Sequence, residues 1–109
     1  MKSFTSLEQS KKLVEILPLE SADMSWVWNG LGKPFARTIS IKGDPEELCA
    51  CWSLAALLNV LPDYTLQTNT DGTVFMVCDS KKPMISDTYR NPVDACYEMI
   101  LNLHEQKLL

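Results

Sequence analysis

The residues of this chain whose types most readily do chemistry are four cysteines and one histidine. They are Cys49, Cys51, Cys78, Cys96 and His104. Thiolates and imidazoles are the usual ligands of zinc, and a thiolate beside an imidazole is a catalytic nucleophile. A zinc site, a redox pair and a Cys-His pair are therefore the chemistries to test against the spacing.

The spacing of the cysteines favours structural thiols. Zinc sites usually take two ligands from a C-x₂₋₄-C turn, but one residue separates Cys49 from Cys51. On a helix such side chains point about 200° apart, and on a strand about 6–7 Å of backbone separates them. A redox pair usually reads C-x-x-C, and free cysteine is among the most buried residue types. The alternative is a small thiol- or metal-dependent protein with the ligands Cys49, Cys51, Cys78 and Cys96.

The remaining polar residues predict no catalytic residue and no cofactor. His104 flanks the apolar stripe of the last predicted helix, where we expect a half-buried histidine and not a catalytic base. Among the 14 Asp and Glu residues, those at helical spacing lie on solvated faces. Gly30 and Gly32 resemble a fragment of a phosphate loop, but Pro34 and the strand-like residues after it remove the helix that such a loop needs.

Two of the three tryptophans are candidates for binding a partner. In "ADMSWVW", Met24, Trp26 and Trp28 share one face if the segment is a strand. Aromatic side chains dominate the binding energy of protein interfaces. The alternative is burial in the core, where most tryptophan surface belongs. We keep Trp26 and Trp28 as partner-binding candidates.

Composition and charge bound the class of protein. The chain has 109 residues, 46% apolar and 22% charged, which predicts a single soluble domain over residues 1–109. No apolar run approaches the roughly 20 residues of a membrane span, and the N-terminus lacks the pattern of a secretory signal. We therefore expect a cytoplasmic protein with reduced thiols and no membrane. A net charge of −4 with scattered basic residues argues against nucleic acid as a partner. We expect a protein partner or a homo-oligomer.

The N-terminal elements follow from capping and alternation. Thr5 and Glu8 have capping-box spacing, which predicts a helix that starts near Thr5 and ends by Leu17, before Pro18. Its predicted apolar stripe is Leu7, Leu13, Val14 and Leu17. "ADMSWVW" and "FARTISI" both alternate and predict a loose hairpin. In "FARTISI", one side of the predicted strand contains Phe35, Ile39 and Ile41.

Two starts compete for the helix in "LCACWSLAALLNVLP", residues 48–62. Asp44 provides a capping side chain followed by Pro45 at the first helical position. Ser53 caps a shorter helix, which leaves residues 48–52 extended and a separate turn near Pro45. We favour the start at Ser53, and Pro62 ends the helix in both cases. The predicted core stripe is Leu54, Leu57, Leu58 and Leu61.

Residues 64–78, "YTLQTNTDGTVFMVC", give a strong hairpin signal. Asp-Gly at residues 71–72 suits a two-residue type I′ loop. In that register Leu66 faces Val77 and Thr68 faces Phe75. The other face then contains Val74, Met76 and Cys78. "MISDTY", residues 84–89, predicts a possible third strand.

The last helix is capped by Asn91, with Pro92 at its first position. Its predicted core stripe is Cys96, Met99, Ile100 and Leu103. Its predicted solvated face is Asp94, Glu98, Asn102 and Glu105. The fold class is therefore α+β, with a small antiparallel sheet of three to five strands packed against two or three helices. The C-terminal half reads helix-strand-strand-(strand)-helix.

Two resemblances bear on function. The order of elements from Ser53 onward looks like the α-β-β-β-α architecture of double-stranded-RNA-binding domains and of HicB-like antitoxins, which implies an alternative as a nucleic-acid-associated module. The basic residues of those binders have no convincing match here. The segments "SADM", "CWSLAALLNVLP" and "NPVDACYEMILNLHEQKLL" resemble small uncharacterised proteins encoded in phages and mobile elements of Bacteroidales bacteria.

This second resemblance implies no catalytic residue. Its members often have proline directly before Cys-Trp-Ser, where this chain has Ala50. That departure leaves the start of the following helix open. We expect a non-catalytic accessory protein of a phage or mobile element that binds another protein.

Overall fold

The computed structural model describes residues 3–28, 33–37, 47–61, 64–78 and 88–106. In these ranges the chain forms, in order, α1 Leu7–Val14, β1 Met24–Val27, β2 Phe35–Arg37, β3 Glu47–Cys51, α2 Leu54–Val60, β4 Tyr64–Thr68, β5 Val74–Cys78 and α3 Pro92–Glu105. A 3₁₀ turn, Leu19–Ser21, precedes β1. The strands form one antiparallel sheet in the order β2-β1-β3 and one β4-β5 hairpin. The predicted α+β class is confirmed, with the strands divided between two sheets.

Helix α1 begins one residue later than predicted. Ser6 is its N-cap: the Gln9 backbone N–H donates to Ser6 Oγ at 3.1 Å, and the Ser6 N–H donates to Gln9 Oε1 at 3.0 Å. Thr5 and Glu8 have the same spacing, so the local pattern allows both starts. The prediction of Thr5 as the cap is wrong because Thr5 is buried and its hydroxyl accepts a tertiary hydrogen bond from the Trp52 N–H at 3.1 Å.

The inner face of α1 differs in one position from the predicted stripe. Leu13 and Leu17 are buried, as predicted. Val14 is exposed, and Ser10 takes the buried position instead. Ser10 is tolerated there because its hydroxyl bonds to the hydroxyl of Thr5 at 2.7 Å.

Strand β1 is the centre of the three-stranded sheet. It pairs with β2, which confirms the predicted hairpin over Phe35–Arg37. Residues 38–41 of the predicted strand lie outside the described residues. On the other side, Trp26 lies opposite Cys49 and Val27 opposite Glu47, so β3 has an extra residue, Leu48, at a β-bulge.

Helix α2 begins after Ser53, which confirms the shorter of the two predicted helices. Ser53 Oγ accepts a hydrogen bond from the Ala56 N–H at 3.2 Å. A helix starting at Asp44 would have to run through β3 and is therefore excluded. The predicted turn near Pro45 and the predicted stop at Pro62 lie outside the described residues.

The register of the β4-β5 hairpin is shifted by one residue from the prediction. Leu66 lies opposite Met76, and Thr68 opposite Val74. The Gly72 N–H donates to the carbonyl of Asn69 at 3.1 Å, and Gly72 has a φ of 88°. This is a three-residue loop with glycine in the left-handed conformation, not the predicted two-residue type I′ loop.

The shift changes which side chains share a face. Because side chains alternate along a strand, Leu66 shares the face of Val74 and Met76, both of which are buried. The predicted pairings of Leu66 with Val77 and of Thr68 with Phe75 are therefore wrong.

Helix α3 has the predicted cap and core face. Asn91 Oδ1 accepts a hydrogen bond from the Val93 N–H at 2.8 Å, and Pro92 is the first helical residue. All four residues of the predicted stripe are buried: Cys96, Met99, Ile100 and Leu103. Asp94 is the exception on the predicted solvated face, because it is half-buried and accepts a hydrogen bond from Gln9 Nε2 at 2.8 Å.

The predicted third strand, residues 84–89, is described only from residue 88 onward. There Tyr89 exchanges two backbone hydrogen bonds with Val74, at 2.6 and 2.8 Å. The main apolar core packs α3 against β5, α2 and the inner face of α1, with Trp52 among its buried members. Within the described residues, no helix combines the length and apolar character needed to cross a bilayer.

Candidate functional site

Cys49 and Cys51 lie on β3, two residues apart on one face of the sheet. Cys51 is fully buried and Cys49 is half-buried. Cys51 Sγ lies 3.6 Å from Thr5 Oγ1 and donates to the carbonyl of Thr5 at 3.5 Å. The strand thus places the Cys51 thiol against the segment that leads into α1.

Thr5 is the centre of a buried polar cluster. Its hydroxyl bonds to the Ser10 hydroxyl at 2.7 Å and to the Trp52 N–H at 3.1 Å. Its own N–H donates to the Trp52 carbonyl at 2.9 Å. We name this set, Thr5, Ser10 and Cys51, the hydroxyl–thiol cluster. Its contacts join the N-terminal segment to β3, which is a structural task.

The electrostatics of the cluster keep the thiol protonated. Burial raises the pKa of Cys51, and hydrogen bonds from the hydroxyls of Thr5 and Ser10 offset this only in part. A thiol with a raised pKa is a weak nucleophile at neutral pH, because the thiolate is the reactive form.

Cys96 lies in different surroundings and is equally unreactive. It is fully buried on the inner face of α3, with its Sγ 3.8 Å from Met76 Sδ. Burial raises the pKa of Cys96 to about 12. Cys78 is the last residue of β5, and its side chain falls outside the described part of the chain.

Within the described residues, no three His, Cys, Asp or Glu side chains come together as a metal site would require. His104 lies in the last turn of α3 and is exposed. Its predicted half-buried position is wrong, because the helix turns it outward beside the buried Leu103. In the same described ranges, every buried side-chain nitrogen and oxygen has a hydrogen-bond partner.

Trp26 and Trp52 make contacts inside the fold. Trp26 is half-buried: its Nε1 donates to the Thr5 carbonyl at 3.1 Å, and its ring meets Phe4 edge-on with centroids 5.9 Å apart. Trp52 is fully buried, and its Nε1 donates to Ser21 Oγ at 2.9 Å. Both indoles hold the N-terminal half of the chain to the sheet.

Trp28 is the most exposed of the three tryptophans, and two other exposed apolar residues lie at the same end of the sheet. Its side chain is 50% exposed, while Phe35 is 45% and Leu48 is 43% exposed. Trp28 directly follows Val27; Phe35 lies opposite Val27 on β2, and Leu48 is the bulge residue beside Val27 on β3. We name Trp28, Phe35 and Leu48 the end patch, because they surround one end of the three-stranded sheet.

The end patch gathers most of the large apolar side chains that the described residues expose. The other two are Val14 and Leu19. Neighbouring strands lie about 4.8 Å apart, so the backbones of Phe35 and Leu48 flank β1 within roughly 10 Å of each other.

Sequence reasoning found Trp28 but missed its neighbours. The alternation of "FARTISI" places Phe35 on one side with Ile39 and Ile41 and gives no sign that Phe35 is exposed. Leu48 is exposed because of the β-bulge, and a bulge leaves no mark in a sequence without Gly or Pro at that position.

No known protein-family model matches this chain, and neither a curated protein nor a solved structure matches it.

Proposed function

We propose that this protein is a non-catalytic protein-binding module and that the end patch is its contact surface. The resemblance to small proteins of Bacteroidales phages and mobile elements supports a role as an accessory protein of such an element. Its partner would offer apolar or aromatic side chains that fit around Trp28.

The observation that supports the proposal is the clustering of Trp28, Phe35 and Leu48 around one end of a sheet. Single exposed apolar residues are ordinary on protein surfaces, whereas three exposed large apolar residues at one end of a sheet form a candidate contact surface. Trp28 is of a residue type that often dominates the binding energy of an interface.

The surroundings of two thiols also support a non-catalytic role. Cys51 and Cys96 are fully buried with raised pKa values. A catalytic thiol has a lowered pKa and access to solvent. Neither of these two thiols therefore has the properties of a catalytic nucleophile.

The experiment is an affinity comparison with a matched control. The wild-type protein is used as bait in a Bacteroidales lysate, and the protein it retains is purified and titrated by calorimetry. Trp28→Ala should weaken binding at least about 30-fold, the loss typical of an interface hot spot. Leu19→Ser is the control, because Leu19 is 61% exposed but precedes the other end of β1.

Leu19→Ser should leave the affinity unchanged. Equal binding by wild type and Trp28→Ala would contradict the proposal, as would equal losses in the two variants. Circular dichroism of both variants checks that each remains folded.

A further inference from the structure

The β4-β5 hairpin has two outer edges, one along β5 and one along β4. On the outer side of β5, Val74 exchanges two backbone hydrogen bonds with Tyr89. Within the described residues, β5 is the sole strand that pairs with β4. The outer edge of β4 is therefore the open one in this part of the chain.

The register shows which backbone groups of β4 point outward. Val74 turns both its N–H and its carbonyl towards Tyr89, so Thr68 and Val74 form a non-hydrogen-bonded pair of the hairpin. In such a pair, the backbone groups of both residues point away from the partner strand. Because the pattern repeats every second residue, Tyr64 and Leu66 also present their N–H and carbonyl groups outward.

The sequence and pairing of β4 lack several features that often protect an edge strand. Natural edge strands carry Lys, Pro or a bulge, which prevent pairing with another chain. The sequence of β4 is "YTLQT", with no charged residue, proline or glycine. Its five pairs with β5 run without a bulge. An unprotected edge of this kind is a site for strand addition.

We propose that β4 pairs with β4 of a second copy of this chain, antiparallel about a two-fold axis at Leu66. Leu66 then lies opposite Leu66 of the second copy, and Tyr64 lies opposite Thr68. Each of these pairs can exchange two backbone hydrogen bonds, because all three residues turn their backbone groups outward. The two hairpins become one four-stranded antiparallel sheet, and the contact is isologous.

The register and the charge of β4 both permit a second copy as the occupant, because the paired residues are uncharged. The chain has a net charge of −4, so most approaches between two copies bring acidic surfaces together. The hairpin, residues 64–78, has a single charged residue, Asp71, which lies in the turn. An antiparallel β4–β4 contact therefore brings no charged side chains of the two hairpins opposite each other. On the solvated face, Thr65 pairs with Gln67 of the second copy, and both are uncharged and exposed.

The test uses two double variants that differ only in the sign of the charge at residue 65. T65K/Q67K places a lysine opposite a lysine at each of these cross-strand pairs, which disfavours pairing. T65E/Q67K places a glutamate opposite a lysine at the same positions and should preserve it. Thr65 and Gln67 are both exposed in a single copy, so we expect the hairpin to remain folded in both double variants.

Molecular mass is measured by sedimentation equilibrium up to about 1 mM, where weak association also populates a dimer. Wild type and T65E/Q67K should dimerise, and T65K/Q67K should remain monomeric. A monomeric wild type would overturn the proposal. A T65K/Q67K dimer would also overturn it, by showing that the copies meet elsewhere, for example through the end patch.

Hydrogen exchange of the wild type provides a readout that does not depend on the variants. The amides of Leu66 and Thr68 should become more slowly exchanging as the protein concentration rises, because they are bonded only in the dimer. Concentration-independent exchange at both amides would contradict the pairing. This inference is independent of the end patch, so either can fail alone.

Discussion

Cys51 and Cys96 are both fully buried thiols, but they hold together different parts of the molecule by different means. Cys51 lies among hydroxyl and carbonyl groups of the N-terminal segment, within the hydroxyl–thiol cluster. Cys96 lies among apolar side chains, against Met76 of the hairpin. The first junction depends on satisfied hydrogen bonds and the second on packing.

The comparison shows that a cysteine pattern is a poor guide to reactivity in this chain. Burial removes the thiolate in both surroundings, by raising the pKa of Cys51 and of Cys96. Among the described residues, the end patch and the edge of β4 are the two surfaces that we propose for contact with other molecules. The two junctions are expected to govern stability.

Thr5→Val tests the polar junction and should have the largest effect. Valine has nearly the shape of threonine but leaves the Ser10 hydroxyl and the Trp52 N–H without their partner. Each orphaned buried group costs about 1–3 kcal/mol, so we expect the free energy of unfolding to fall by roughly 3 kcal/mol in urea titrations. The exposed Thr65→Val is the control and should change stability little. Equal effects at the two positions would show that the cluster does not stabilise the fold.

Substituting serine for Cys51 or for Cys96 compares the polar junction with the apolar one. Cys96→Ser places a hydroxyl against Met76 and should cost about 2 kcal/mol, the desolvation of a poorly paired hydroxyl. Cys51→Ser should cost less than about 1 kcal/mol, because the Thr5 carbonyl and hydroxyl remain to bond it. Thermal unfolding of both variants provides the comparison. A larger loss for Cys51→Ser would reverse our assignment of the polar and apolar junctions.

Alkaline pH tests the burial of Cys96. In the unfolded chain this thiol ionises near its ordinary pKa of 9.0, whereas in the fold its pKa is about 12. The stability that the protonated Cys96 thiol contributes is therefore complete below pH 9.0. It is lost as pH rises from 9.0 towards 12, so the free energy of unfolding falls by about 1 kcal/mol near pH 10. Cys96→Ala should make the decline of stability with pH shallower. Parallel declines for wild type and Cys96→Ala would show that Cys96 ionises in the folded protein.

The surface substitutions should have the smallest effect on stability. Trp28→Ala and Leu19→Ser remove side chains that are at least half exposed. We expect each to change the free energy of unfolding by less than about 0.5 kcal/mol, the usual range for surface positions. A large loss for Trp28→Ala would indicate that the indole packs inside the fold, and would remove it as a free contact.

The parts of the fold that depend on local chemistry were predictable. The caps Ser53 and Asn91 follow from side-chain hydrogen bonds within their own turns, and a sequence shows both partners. Ser6 was missed in favour of Thr5 because two overlapping patterns fit, and tertiary contacts decided between them.

The parts that depend on contacts distant in sequence were not predictable. Asp-Gly at residues 71–72 suits both a two-residue and a three-residue loop, and the packing of Val74 and Met76 against the core selects the second. The end patch likewise arises from a bulge at Leu48 and from the pairing of three strands. Sequence marked Trp28 as a candidate but did not reveal its neighbours.

Site-specific photo-crosslinking most directly tests the claim that this protein acts by binding another through the end patch. A photo-reactive amino acid is placed at position 48, which leaves Trp28 intact, or, as the control, at position 19, and the protein is irradiated in a Bacteroidales lysate. Our account predicts one discrete crosslinked protein from position 48 and none from position 19. The same crosslinked proteins from both positions, or none from position 48, would contradict it.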